Sequence, residues 1–155
     1  MLRFKILASV VPLIALAVFA RDTVLPGPRP CVAVGDTPVQ IAAMPWHADL
    51  HVSFTDEPSL ATVRVQISDS AEAADFVVID DIDSAEASAC PANTATRHVA
   101  ISASSSAGEP VIYLSSDGPA DYRVFVRSRT FSARDAAALI VGASGGHSRL
   151  AAASL

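Results

Sequence analysis

His47-Ala48-Asp49-Leu50-His51-Val52-Ser53-Phe54-Thr55 alternates polar and apolar residues without a break. Ala48, Leu50, Val52 and Phe54 fall on one side, and His47, Asp49, His51, Ser53 and Thr55 on the other, which is the pattern of a half-buried strand. Asp56-Glu57-Pro58-Ser59 reads as a turn, and Thr62 to Ser68 alternates again with Val63, Val65 and Ile67 inward. Two alternating runs joined by a short polar turn suit an antiparallel pair. The connection from Ser68 to Asp75 falls short of the dozen or more residues of a standard parallel crossover.

Working outward, Ser70 to Ala74 offers one helical turn, and Phe76-Val77-Val78-Ile79 is a continuous apolar run expected to be covered on both faces. Asp80 to Thr96 is small and polar and reads as a loop, with room for a helical turn at Ser84 to Ala89. Arg97 to Ala103, Val111 to Leu114 and Tyr122 to Ser128 supply three more strands, with Ser104 to Pro110 and Asp117-Gly118-Pro119 as the turns of a meander. Ser132 begins a helix: Asp135 three residues on resembles a capping box, Phe131 is placed to staple the first turn, and Gly142 or Gly145 stops the run. The fold expected is α+β: about six strands in a mostly antiparallel sheet with the C-terminal helix packed on one face. A small β-sandwich is the alternative. Ala61-Thr62-Val63-Arg64-Val65 resembles Ala120-Asp121-Tyr122-Arg123-Val124, but alternating strands coincide this far by chance, so no duplication is inferred.

The opening residues set the compartment. Arg3 and Lys5 precede fifteen uncharged residues, Ile6 to Ala20, with Val18-Phe19-Ala20 as a cut site before Arg21. A basic start, an apolar middle and a small-residue exit describe an export signal. Fifteen residues are short for a bilayer span, and Pro12 interrupts the helix; Val18 and Arg21 are poor residues for cleavage. Residues 1–20 are therefore a signal peptide or an N-terminal membrane anchor, and either fate places the rest on the periplasmic side of the inner membrane. Residues 21–30 form a linker with Pro26, Pro28 and Pro30, extended at ~3.1 Å per residue. Residues 31–144 make the exported globular domain, and 145–155 a loose tail.

Without the leader, the chain has nine Arg, no Lys and sixteen acids. That balance argues against a nucleic-acid partner, since phosphate contacts need a basic face. It also speaks against broad adsorption to anionic lipid. Cys31 and Cys90 are the two cysteines. In an oxidising compartment an isolated pair most simply forms a disulfide, closing a loop worth ~4 kcal/mol in the chain-entropy account.

Three constellations could carry chemistry. Gly142-Ala143-Ser144-Gly145-Gly146 has the G-x-S-x-G spacing, yet a helix precedes it where the nucleophile elbow needs a strand, so it reads as a helix stop. His47, Asp49 and His51 share one face of a strand and are candidate ligands for an ion such as Zn²⁺. Polar residues on a solvent face need no metal, and none is assigned. Asp80, Asp81, Asp83 and Glu86 form an acidic loop without the EF-hand pattern. From Val65 to Thr96 there are seven acids and no basic residue, whereas Arg123, Arg127, Arg129, Arg134 and Arg149 lie in the last third. Opposed patches of this kind steer protein association.

Val63-Arg64-Val65-Gln66-Ile67, Asp75-Phe76-Val77-Val78-Ile79-Asp80-Asp81 and Asp117-Gly118-Pro119-Ala120-Asp121-Tyr122-Arg123-Val124-Phe125-Val126-Arg127 together resemble a group of small, leader-bearing proteins of alphaproteobacterial type that has no assigned activity. The resemblance implies no catalytic residue, ligand or cofactor. The expectation is a non-enzymatic envelope protein: an extracytoplasmic domain, tethered at the membrane if the leader is uncleaved, that contacts another envelope protein. The alternative is a metal-binding or metal-dependent hydrolytic domain built on His47, Asp49 and His51.

Overall fold

The computed structural model describes residues 31–80 and 93–146. The leader, the linker, Cys90 and the acids Asp81, Asp83 and Glu86 lie outside the described residues. Among the described residues no helix is long and apolar enough to cross a membrane.

Eight strands form one sheet: β1 (Cys31–Val34), β2 (Thr37–Ile41), β3 (Leu50–Thr55), β4 (Val63–Ile67), β5 (Phe76–Ile79), β6 (Arg97–Ser102), β7 (Val111–Ser115) and β8 (Tyr122–Arg127). Their spatial order is β1-β2-β6-β3-β7-β4-β8-β5. β1 and β2 are antiparallel, joined by Gly35-Asp36 with Gly35 at φ 60°. Every other neighbouring pair is parallel. The chain thus lays down β2 to β5 with gaps, and then returns to fill each gap with β6, β7 and β8.

This overturns the mostly antiparallel six-strand sheet, and the β-sandwich with it: the sheet is mixed, eight-stranded and curled into a half-barrel. The two runs expected to form a hairpin, β3 and β4, are not neighbours, because β7 lies between them. The register explains how short connections achieve this. Ile41 and Leu50 both pair with Val99, Phe54 and Val63 with Ile112, and Ile67 and Phe76 with Val124. Each strand therefore starts level with the end of the strand before it in sequence. A standard crossover must travel back along the whole strand; here it need only shift sideways by two strand spacings, about 9–10 Å. The nine-residue step from Ile67 to Phe76 reaches about 30 Å when extended, so it spans that shift with slack.

The stagger is written in the sequence as a period of thirteen. Val39, Val52, Val65 and Val78 are thirteen residues apart and all are buried. Val99, Ile112 and Val124 repeat the theme in the second series with steps of thirteen and twelve. Three residues before each stands a polar one: Asp36, Asp49, Thr62, Asp75, Thr96, Glu109 and Asp121, each preceded by Ala or Gly. The likeness between residues 61–65 and 120–124 is one instance of this repeat.

The helix α1 (Ala133–Ala143) starts as the sequence indicates. The Ser132 hydroxyl accepts from the Asp135 amide, and the Asp135 carboxylate accepts from the Ser132 amide. Ala136 to Gly142 are buried without interruption. A helix lying on an open sheet keeps one face wet, so a run of seven buried residues places α1 inside the curl of the sheet. There it packs against Val39, Val52, Val65, Val99, Ile112 and Val124, and Arg97 closes its C-terminus by donating to the carbonyls of Gly142 and Ala143 at 2.8 and 3.2 Å.

The crossovers run over the outer face. Gln66, which points away from α1, donates to the carbonyl of Ser116 in the β7–β8 connection. Ser53 and Ala100 also point outward yet are only 2% and 4% exposed. Three crossovers contain single 3-10 turns, Pro45–His47, Pro58–Leu60 and Ala71–Ala73, again thirteen residues apart. Two local expectations change as a result. His47 lies on the first of these turns and not on a strand. β5 is not covered on both faces: Val78 is buried, while Val77 and Ile79 are exposed.

Candidate functional site

The polar residue before each strand is fixed by a shared local bond pattern. Asp49 donates its amide to the His98 carbonyl at 2.8 Å and accepts the His98 amide on Oδ2 at 2.7 Å. Thr62 does the same to Val111, Asp75 to Arg123 and Asp121 to Arg64. One residue thereby satisfies both backbone groups of its neighbour, where the next strand has not yet begun to pair. By the register Thr96 stands beside Pro38, which has no amide hydrogen; its hydroxyl instead accepts the Asn93 amide at 2.7 Å.

Glu109 holds the corresponding place beside His51. Its longer side chain reaches the imidazole, with Oε1 3.7 Å from His51 Nδ1. Its Oε2 is buried and makes no hydrogen bond, as is the Ser53 hydroxyl two residues beyond His51. On the other side of β3, Asp49 Oδ2 lies 3.6 Å from His98 Nδ1. The outer face across β6, β3 and β7 therefore carries two imidazole–carboxylate pairs, each partly exposed.

The structure regroups the sequence candidates. Asp49, immediately before β3, falls on the same side as His51, but His47 sits on the preceding turn with its ring edge-on to Trp46 at 6.2 Å. Among the described residues no group of three or more His, Cys, Asp or Glu side chains is placed to hold a metal ion. His98 and Glu109 carry no motif; only their places in the thirteen-residue pattern mark them. Ser144 is the C-cap of α1, and its hydroxyl donates to the Ile140 carbonyl at 3.0 Å. Asp80, from the acidic loop, accepts from the Ser128 hydroxyl and the Arg129 amide, so both its oxygens are engaged within the fold. These bonds, the Ser128 one foremost, hold its carboxyl below the usual aspartate range.

The ion pairs seen between described residues join His51 to Glu109 and His98 to Asp49. Arg134 lies over the Phe54 ring at 4.3 Å, and Arg97 caps α1. Among the described residues the large apolar side chains exposed are Trp46 at 73%, Leu60 at 65%, Ile79 at 53%, Val77 at 47% and Met44 at 46%.

No protein-family model matches the chain, and neither a characterised protein nor a solved structure resembles it closely enough to count as a match.

Proposed function

We propose that the chain is a non-enzymatic envelope protein, an extracytoplasmic domain held at the membrane by its N-terminal segment and contacting another protein through the turns of its first two crossovers. The observation that carries the reading is Trp46: it is 73% exposed at the tip of a 3-10 turn, with Met44 beside it and Leu60 exposed on the next turn. An indole presented to solvent buries a large area on association at little conformational cost, which is why Trp is enriched at the centres of protein interfaces. Export is supported by the basic, apolar and small-residue order of residues 1–20, and the Cys31–Cys90 disulfide by the fact that no described cysteine is free.

Photocrosslinking from position 46 in intact cells tests the contact. A discrete adduct from position 46, absent when the same crosslinker is placed at exposed Asp117, is the expected result. Equal labelling from both positions, or none from either, overturns it. Fractionation of the same cells tests the compartment separately: recovery in the cytosol with both thiols alkylatable overturns export.

A further inference from the structure

Glu109 breaks the pattern of the polar residues that precede strands. Asp49, Thr62, Asp75 and Asp121 each hold both backbone groups of a neighbour, and such bonds do not change with pH near neutrality. Glu109 instead turns its amide to the Ser106 carbonyl at 3.2 Å. Its Oε2 is buried without a partner, and its Oε1 lies 3.7 Å from His51 Nδ1. A contact of that length is an ion pair when the imidazole carries its proton and no hydrogen bond when it does not. The connection between β6 and β7, residues 103–110, passes over β3 at this point, and residues 103–108 are exposed. Among the described residues its polar ties to the sheet are this contact and the Ser53 amide, which donates to the Pro110 carbonyl at 3.0 Å. The Ser53 hydroxyl is buried without a partner.

The other charged and titratable groups around His51 are engaged or stand further off. Asp49, one place back on the same side, accepts the His98 amide, and His98 on β6 faces Asp49. Ala100 of β6 is the residue beside His51. His47 sets its ring against Trp46. Tyr113 of β7 stands between Thr55 and Arg64, and Asp56 and Glu57 follow the far end of β3. Glu109 is the one acid of residues 103–110.

We propose that His51 and Glu109 form a proton-operated latch, which holds the β6–β7 connection down on β3 when the imidazole is charged and lets it lift when the imidazole is neutral. Imidazole ordinarily changes charge between about pH 5 and 8, where carboxylates stay ionised. The closed form binds one proton more than the open form, so closure is favoured as pH falls and lost as pH rises. Lifting breaks the bond between Ser53 and Pro110 and lets water reach the Ser53 hydroxyl. The latch is independent of the contact proposed for Trp46 and of the compartment.

Amide hydrogen exchange, followed by NMR on the chain as purified from cells, tests this. The Ser53 amide reports the latch, and the Arg64 amide, held by Asp121, is the internal reference. The protection of Ser53 relative to Arg64 is expected to fall about three- to fivefold from about pH 5.5 to 7.5, the size of a partly exposed ion pair. In Glu109→Gln the ratio should not change with pH. In His51→Lys, whose charge persists through this range, it should stay high throughout. His98→Gln removes the neighbouring pair and should leave the fall in place. A ratio that is flat in the unsubstituted chain overturns the proposal. So does a fall that survives in Glu109→Gln, one that His51→Lys reproduces, or one that His98→Gln abolishes.

Discussion

Asp121 holds Arg64 by both backbone groups: its amide donates to the Arg64 carbonyl and its Oδ2 accepts the Arg64 amide, each at 2.8 Å. Asp121 is 6% exposed, so the bond lies where water cannot replace it. Asp121→Ala leaves the Arg64 amide without its acceptor, and an orphaned buried group of this kind costs about 1–3 kcal/mol. Asp121→Asn keeps an oxygen in place and should cost less. Urea unfolding of the two variants measures the difference; equal midpoints would show that the carboxylate is not what fixes β8 to β4.

Gly142 faces Val99 at the contact between α1 and β6, and a Cβ there would overlap Val99 Cγ2. Val99 is stiff at χ1 and fully buried, so it cannot swing aside. Gly142→Ala should therefore destabilise by about 1–3 kcal/mol, the usual cost of overpacking a core. Val99→Ala makes room, so the double variant should be more stable than the sum of the single effects implies. Strict additivity in a double-mutant cycle would show that the two residues do not touch.

Asp80 has its carboxyl pKa lowered, first by the Ser128 hydroxyl and then by the Arg129 amide. A depressed carboxyl pKa stabilises the fold above the unfolded value, about 3.9, and that contribution is lost as pH falls through the folded value. The Ser128 hydroxyl also accepts the amides of Thr130 and Phe131, so protonation loosens the turn that leads into α1. Asp80→Asn should flatten the acid limb of a plot of melting temperature against pH below about pH 4 and leave its slope near neutrality unchanged. An acid limb identical to that of the unsubstituted chain would remove Asp80 from the account.

If Cys31 and Cys90 are joined, the loop they close is worth ~4 kcal/mol in the chain-entropy account. Cys90→Ser should lower the melting temperature of oxidised protein and have no effect on protein melted under reductant. An unchanged midpoint in oxidised samples sinks the disulfide.

Much of the local structure was legible and the topology was not. Ser132 and Asp135 announced the helix cap, and Val52 with Phe54 the buried face of β3, because capping and alternation are carried by neighbours in sequence. β1 and β2 went without an expectation because Pro38 interrupts the alternation through Thr37–Ile41. The antiparallel pairing of β3 with β4 failed for a longer-range reason. A seven-residue gap forbids a parallel neighbour only if the strands are level, and nothing within a strand reports its stagger. The stagger is instead recorded between strands, in the spacing of Val39, Val52, Val65 and Val78. That same spacing marks Glu109, whose meeting with His51 no local motif foretold. Val77 and Ile79 were misjudged because an apolar run reads alike whether it is roofed or bare.

Interleaving has a consequence for a chain that emerges N-terminus first. Until residues 97–127 are synthesised, β2 to β5 have gaps where their neighbours belong, and only the β1–β2 hairpin can pair. The slow step of such a chain should be the late insertion of three strands at once.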